Sequence, residues 1–113
     1  MTYDKNNIFA KILRGEIPCK KVFENDHVLA FHDINPQKKV HVLVIPKGEY
    51  VDLDDFNNKA SDKEIIELNR ALTHVASLMG TKNKGYRALT NIGNDGGQEV
   101  PHLHFHIFAG EKI

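Results

Sequence analysis

Three histidines alternate with apolar residues in HLHFHIF at residues 102–108, and no other feature constrains the fold of this chain as strongly. Successive side chains of a β-strand point to opposite faces of its sheet. A strand here therefore places His102, His104 and His106 on one face and the apolar side chains on the other. A slip of one residue in register would bury the imidazoles, so the apolar residues hold them in place. The pattern predicts a strand over residues 100–108 that presents a row of imidazoles.

This row of imidazoles has three interpretations. It could be a solvated strand face that is merely rich in histidine. It could bind a metal, since imidazole is the commonest metal ligand. Positions i and i+4 on a strand lie about 13 Å apart, too far for His102 and His106 to bind the same ion. A metal would therefore bind two neighbouring histidines of the row and need a third ligand from elsewhere, such as His41. The third interpretation, which we favour, is reaction with a phosphoryl group, because neutral imidazole is nucleophilic near pH 7 and its neighbours can donate protons or hydrogen bonds.

Two further polar residues lie within predicted strands. His41 falls inside KVHVLVI at residues 39–45, where an imidazole needs a hydrogen-bond partner, either a side chain or the backbone. Alternation places Asp33 on the same side as Leu29 and Phe31, giving an apolar platform that ends in a carboxylate. Such a platform suits a base stacked on the ring and a ribose held by the carboxylate, although an aspartate taken alone at this position more often serves a turn or a cap.

A glycine-rich segment, GNDGGQ at residues 93–98, comes directly before the imidazole row. Glycines allow successive backbone N–H groups to approach an anion closely. The spacing matches neither a dinucleotide-binding fingerprint nor a P-loop, and alone it would indicate a hairpin turn.

Two helices are predicted. The first covers residues 7–14, with Asn6 or Asn7 as its cap and Gly15 at its end. The second, over residues 61–80, begins with a Ser-x-x-Glu capping box and carries apolar residues at steps of three and four.

The remaining pattern predicts a single α+β domain, residues 1–113, on a five-stranded antiparallel sheet with one long helix and a short N-terminal helix. Residues 52–60 are polar and turn-like. His27, in a turn, and His74, on the polar side of the long helix, are predicted to be solvated. The five strands are predicted at residues 20–24, 27–33, 39–45, 86–92 and 100–108.

Composition excludes several classes of protein. A chain of 113 residues has room for one domain, and 15 basic residues balance 15 acidic ones, which argues against binding to nucleic acid or to an acidic membrane by bulk charge. A single cysteine, Cys19, excludes an internal disulfide and a cysteine-based zinc site. The sequence shows no apolar run of spanning length and no leader at residues 1–10, so we expect a soluble, cytoplasmic protein.

Taken together, the motifs resemble those of the histidine-triad (HIT) nucleotide hydrolases and transferases, defined by His-φ-His-φ-His-φ-φ, which residues 102–108 match in full. Within that superfamily the chain is similar to the HINT branch. The resemblance implies the HIT-like fold and extends over nearly the whole chain except residues 50–81. The matching segments are IFAKILRGEIP at 8–18, FHDINPQ at 31–37, HVLVIPK at 41–47, KGYR at 84–87 and NIGNDGGQEVPHLHFHI at 91–107.

The resemblance also implies roles for individual residues. His104 would be the nucleophile that becomes nucleotidylated, His102 and His41 would support and orient it, and His106 would contact the phosphate and the leaving group. Asp33 would bind the ribose hydroxyls. The base pocket would be lined by Ile8, Phe9, Ile12, Phe31 and Ile34, and the phosphate would lie among Asn91, Gly97, Gln98 and Glu99.

The reaction that the resemblance implies is hydrolysis of purine nucleoside 5′-phosphoramidates, and of aminoacyl-adenylate-like species, to the nucleoside monophosphate. It implies a homodimer whose helix and strand edges pair, and no metal or other cofactor. Two alternatives stay open: a nucleotide-binding module that regulates a partner without catalysis, and a hydrolase of dinucleoside polyphosphates, which the segment at 8–18 disfavours.

Three features depart from the family pattern. Some bacterial relatives carry a Cys-x-x-Cys zinc site where this chain has Asn7 and Ala10, so structural zinc is not expected. Glu99 stands where many members have a hydroxyl residue, and its carboxylate could either alter leaving-group preference or stay turned to solvent. Only five residues follow Phe108, so the selectivity that longer tails confer is not expected here.

Overall fold

The structure, a computed structural model that describes residues 2–113, is built on a five-stranded antiparallel sheet. The strands are β1 (Lys21–Glu24), β2 (Val28–His32), β3 (Val40–Pro46), β4 (Arg87–Leu89) and β5 (Phe105–Ala109), and the helices are α1 (Ile8–Leu13), α2 (Leu53–Lys59) and α3 (Asp62–Leu78). The order across the sheet is β1-β2-β3-β5-β4. The predicted α+β fold is therefore confirmed. Within residues 2–113 no helix is long and apolar enough to cross a lipid bilayer.

Helix α3 covers one face of the sheet. The hydroxyl of Ser61 accepts a hydrogen bond from the backbone N–H of Glu64, and the Glu64 carboxylate accepts one from the backbone N–H of Ser61, so the predicted capping box is confirmed. The buried stripe of α3 packs on the strand residues that point to this side. This main core contains Val28, Ala30, Val42, Val44, Phe56, Leu68, Ala71, Val75, Ala76, Leu103 and Ile107.

Helix α1 lies on the opposite face. The side chain of Asn7 accepts a hydrogen bond from the Ala10 N–H and caps the helix, as predicted, and Gly15 follows its end with a φ of 79°. Because β2 and β3 are covered on both faces, both are almost uninterrupted apolar runs. The second core under α1 contains Phe9, Leu29, Phe31, Leu43 and Ile45.

Residues 52–60 form helix α2, so their interpretation as a turn is wrong. Asp52 is the N-cap and accepts a hydrogen bond from the backbone N–H of Asp55. Acidic residues in the first turn interact favourably with the helix dipole and so stabilise the helix. Lys59, one turn after Asp55, forms an ion pair with it. Although the segment is mostly polar, it contains one apolar residue that attaches the helix to the main core: Phe56 is only 2% exposed and packs there.

Strand β5 begins at Phe105, five residues later than predicted, so His102 lies in a bend and His104 in an irregular segment that leads into the strand. The β3–β5 ladder ends at the pair Val44 and Phe105. Before that point the backbone N–H of Leu103 donates to the carbonyl of Tyr50 instead of to a strand. Strand β4 is likewise shorter than the predicted 86–92, whereas each of the first three strands matches its predicted range to within one residue at both ends.

Candidate active site

The imidazoles gather on the face of the sheet that α1 covers. Leu103 and Ile107 point into the core under α3, so the predicted alternation persists although only part of the segment is a strand. The ring centroid of His104 lies 5.1 Å from that of His106 and 4.9 Å from that of Phe9. The interpretation of the row as a solvated face is wrong, since His102 is 0% exposed and His104 is 5% exposed.

His102 is held in one tautomer by its two partners. Its Nε2 lies 2.9 Å from the carbonyl oxygen of Pro46, to which only an N–H can donate. Its Nδ1 therefore accepts the hydrogen bond from the hydroxyl of Tyr3, at 2.6 Å. Burial lowers the pKa of His102 to about 4, so the ring is neutral near pH 7.

His104 is oriented by the backbone of His102. Its Nδ1 lies 2.7 Å from the carbonyl oxygen of His102, so Nδ1 carries the proton and donates it. In the neutral ring Nε2 is then left with a lone pair. Burial lowers the pKa of His104, which favours this neutral form, although the hydrogen bond to the carbonyl opposes the shift. The hydroxyl of Thr90 also donates to the carbonyl of His104, at 2.7 Å, and fixes its backbone.

His41 and His106 form a second pair whose protons can be placed in the same way. The backbone N–H of Gln37 donates to Nδ1 of His41 at 3.1 Å, so His41 carries its proton on Nε2. That atom lies 2.9 Å from Nδ1 of His106, which must accept, and the proton of His106 is then on Nε2. Burial lowers the pKa of His41, and burial together with the nearby His104 and His41 lowers the pKa of His106 to about 4. His41 is thus satisfied by the backbone at one nitrogen and by a side chain at the other.

Asp33 serves the turn and faces the imidazoles at the same time. Its Oδ1 accepts a hydrogen bond from the backbone N–H of Asn35 at 2.8 Å, as a turn residue would. Its Oδ2 lies 3.4 Å from Nε2 of His41. The interpretation of Asp33 as a turn residue therefore has a counterpart in the structure, and its role toward a ribose stays a prediction.

The apolar residues of the predicted base pocket divide into two groups. Phe9, Phe31 and Ile12 belong to the core under α1, with the rings of Phe9 and Phe31 in edge contact at 5.7 Å. Ile8 and Ile34 lie at the surface, 45% and 89% exposed. Two large aliphatic side chains are therefore left in contact with solvent.

Gln98 ties the glycine-rich loop together. Its Nε2 donates to the carbonyls of Val51 and Val100, at 2.7 and 3.0 Å, and its Oε1 accepts from the N–H of Gly93. Gly97 has a φ of 80°, a conformation that residues with a Cβ rarely adopt. Of the predicted phosphate-side residues, Asn91 and Gln98 are half-buried, while Gly97 and Glu99 are exposed.

Sequence reasoning missed two residues of this site. Tyr3 and Thr90 each bond to an atom of the imidazole segment, but neither lies in a motif that marks it. Of the histidines predicted to be solvated, His74 is exposed, with its ring 4.8 Å from that of Phe23, whereas His27 is half-buried.

One group of side chains in residues 2–113 could hold a metal ion. Asp33, His41 and His106 each offer a ligand atom, and these atoms lie within 4.8 Å of one another. His41 Nε2 and His106 Nδ1 are already hydrogen-bonded to each other, so an ion would have to displace a proton from that bond. The arrangement needs no ion to satisfy its buried nitrogens.

Comparison with known proteins agrees with the geometry. The chain matches the HIT domain over residues 14–113. It is 62% identical to an uncharacterised 13.2 kDa HIT-like protein of Azospirillum brasilense, over 99% of this chain and 92% of that protein. The structure of a HIT family hydrolase from Clostridium thermocellum superposes with a TM-score of 0.89 at 37% identity, over 97% of this chain and 95% of that one.

A more distant structure, a hypothetical histidine triad nucleotide-binding protein of Sulfolobus tokodaii, superposes with a TM-score of 0.76 at 30% identity. It covers 89% of this chain, which in turn covers 66% of that protein. The imidazole row, the sheet that carries it and the matches over most of the length lead to one conclusion: the chain belongs to the HIT, or histidine-triad, family.

Proposed function

We propose that this protein is a HINT-branch hydrolase that cleaves purine nucleoside 5′-phosphoramidates to the nucleoside monophosphate through a nucleotidyl-His104 intermediate. The observation that carries the proposal is the hydrogen bond from His104 Nδ1 to the carbonyl of His102, because it leaves a lone pair on Nε2. A neutral imidazole in this tautomer is a competent nucleophile without any base to activate it.

In the first step, Nε2 of His104 attacks the α-phosphorus in line with the leaving amine. The new N–P bond forms as the bond from phosphorus to the amine nitrogen breaks. The positive charge that develops on the ring of His104 is stabilised through Nδ1–H, which already donates to a carbonyl oxygen.

The leaving amine requires a proton, which His106 would donate from Nε2 as an imidazolium, because donation from the neutral ring would leave an imidazolate. Nδ1 of His106 faces Nε2 of His41, so Nε2 is the nitrogen left to act on the substrate. In the free protein burial holds the pKa of His106 at about 4. We expect the anionic phosphate to raise this pKa on binding, and Asp33 raises it in the same direction. In the second step water attacks phosphorus, the N–P bond to His104 breaks, and the proton of water returns to His106.

The nucleoside end of the substrate would lie against α1 and the end of β2. Asp33 would accept hydrogen bonds from the ribose hydroxyls. Ile8 and Ile34 are large and exposed, which suits two sides of a planar base, and the rest of the pocket would be Phe9, Ile12 and Phe31.

The phosphate would lie between the imidazoles and the glycine-rich loop. Asn91 and Gly97 would line this side, and Gln98 would act by holding the loop closed, since its amide is already bonded within it. Glu99 is exposed beside the site and adds a negative charge that raises the pKa of His104. A carboxylate here would favour leaving groups that carry a positive charge.

We further propose that two copies of the chain associate in the cytoplasm. Strand β4 is an edge strand, so its outer backbone groups have no partner within the sheet. Leu78, at the end of α3, and Tyr86, just before β4, are 53% and 37% exposed. Sedimentation analysis would test this directly, with a single species of monomer mass contradicting it.

The enzymatic proposal is tested by mixing the protein with adenosine 5′-phosphoramidate in the presence of a chelator and following release of AMP. Intact-mass spectra of samples quenched without acid would reveal a nucleotidyl adduct, since a P–N bond to histidine is acid-labile. His104→Ala should reduce release to background, while His74→Ala, which removes an exposed histidine outside the site, should leave it unchanged.

Two other results would redirect the assignment. Nucleotide binding without AMP release would favour a binding module. Faster cleavage of a diadenosine polyphosphate than of the phosphoramidate would favour a polyphosphate hydrolase. Full turnover by His104→Ala would refute the assignment of His104 as the nucleophile.

A further inference from the structure

Tyr3 is joined to the imidazole row although it lies 99 residues away from it in sequence. Its hydroxyl donates to Nδ1 of His102 at 2.6 Å, and its ring meets that imidazole edge to face at 5.6 Å. The direction of the hydrogen bond follows from the other side of the ring, where Nε2 donates to the carbonyl of Pro46.

A tight turn before α1 fixes the position of Tyr3. The carboxylate of Asp4 accepts from the backbone N–H of Asn6 at 2.9 Å, and the carbonyl of Asp4 accepts from the side chain of Asn7 at 2.7 Å. Asn7 is also the cap of α1, so the turn and the helix share one residue. Tyr3 is therefore anchored to the same element that covers the imidazoles.

The proton of the Tyr3 hydroxyl is retained under ordinary conditions. Burial, followed by the nearby Glu49, raises the pKa of Tyr3, so the phenol remains a donor near neutral pH. His102 is 0% exposed, so no bulk water can replace the hydroxyl without entering the core.

The position of His102 also determines the hydrogen bond that His104 makes. The carbonyl of His102 accepts the proton of His104 Nδ1 at 2.7 Å, and the same residue is held at both ring nitrogens. Because the ring of His102 is fully buried and closely packed, it cannot turn on its own to find another donor, and relief of an unpaired Nδ1 would have to move the backbone of His102 together with its carbonyl. His104 would then lose the acceptor that keeps the lone pair on Nε2.

We propose that Tyr3 is a positioning residue, which acts through His102 to hold His104 in the tautomer with its lone pair on Nε2. This inference rests on the proposed function, in which that lone pair attacks phosphorus. The tautomer of His104, however, can be observed without any substrate.

The test compares Tyr3→Phe with Tyr50→Phe. Both changes remove only a hydroxyl from a half-buried ring, and Tyr50 donates to Glu64, away from the imidazoles, at 2.7 Å. For adenosine 5′-phosphoramidate we expect Tyr3→Phe to lower kcat about tenfold with KM unchanged, because one buried acceptor loses its donor. Tyr50→Phe should retain the kcat of the wild type.

The second readout is the ¹⁵N NMR spectrum of the histidine side chains, which distinguishes a protonated ring nitrogen from an unprotonated one. In the wild type we expect unprotonated Nδ1 in His102 and unprotonated Nε2 in His104. In Tyr3→Phe a fraction of His104 should move its proton to Nε2.

The spectra also separate this proposal from the proposed function. A wild type that shows the expected tautomers without turnover would contradict the hydrolase and leave the positioning role supported by the variant spectra. A protonated Nδ1 in wild-type His102 would overturn the role of Tyr3 whatever the variants do. Unchanged His104 signals and unchanged kcat in Tyr3→Phe would overturn it as well.

Discussion

Nε2 of His41 lies 2.9 Å from Nδ1 of His106, and this bond joins the imidazoles of two neighbouring strands, β3 and β5. The two residues are 65 positions apart in sequence. Because Gln37 fixes the proton of His41 from the other side, the bond determines that His106 presents an N–H towards the site. The backbone of the β2–β3 connection thereby determines which ring nitrogen of His106 carries the proton.

Replacement of His41 with Ala should lower kcat for the phosphoramidate about tenfold or more, since His106 loses the donor that fixes its proton on Nε2. Steady-state kinetics would measure the change. The matched control is His27→Ala, which removes a half-buried histidine that lies outside the site. Equal losses in both variants would show that His41 acts only through stability.

The free energy of unfolding should fall as the pH is lowered from about 7 towards 4. Burial lowers the pKa of His102 and of His106 to about 4 in the folded protein. The unfolded chain, with ordinary values near 6.5, therefore binds more protons in this window, and its greater proton uptake favours unfolding. His102 alone would remove about 2 kcal/mol at pH 5.

Urea denaturation at pH 7 and pH 5 would measure that loss, and an NMR titration of the ring protons would assign it. Titration of His102 close to the ordinary value would contradict the explanation.

The local parts of the fold could be predicted because their signals repeat over a few residues. The capping box at Ser61 and the Asn7 cap depend on neighbours within three positions, and both are confirmed. The separation of histidines and apolar residues onto opposite faces at residues 102–108 could also be predicted, because the two residue types alternate along the sequence. It persists before β5 begins at Phe105, since Leu103 packs into the main core while the rings of His102 and His104 lie beside Phe9 on the other face.

The remaining features depend on contacts between distant segments. Where β5 begins is decided by the end of the ladder with β3, which the residues of β5 do not encode. Helix α2 was missed because the burial of Phe56 depends on the tertiary core. Tyr3 carries no local signal at all, since its partner is reached only when both ends of the chain fold together.

Phe56→Ala should destabilise the protein by about 3–5 kcal/mol, because a fully buried aromatic ring is removed and leaves a cavity. Phe56 is 2% exposed, and its ring contacts that of Tyr50 at 5.1 Å. Urea denaturation would measure the loss. Asn57→Ala alters an exposed position of the same helix and should change stability by less than about 0.5 kcal/mol. A small loss for Phe56→Ala would show that α2 is not an integral part of the core.

Turnover should withstand a chelator and be inhibited by added Zn²⁺. Within residues 2–113, Nε2 of His104 and Nε2 of His106 are left open, and the other ring nitrogens of His41, His102, His104 and His106 each have a protein partner, so no ion is required to complete the site. An added ion could still take Asp33, His41 and His106 together, since their ligand atoms lie within 4.8 Å of one another. It would remove the hydrogen bond between the two imidazoles, and turnover should return when the chelator is supplied afterwards. Activity that is lost with the chelator alone, and restored by Zn²⁺, would show instead that the reaction uses a metal.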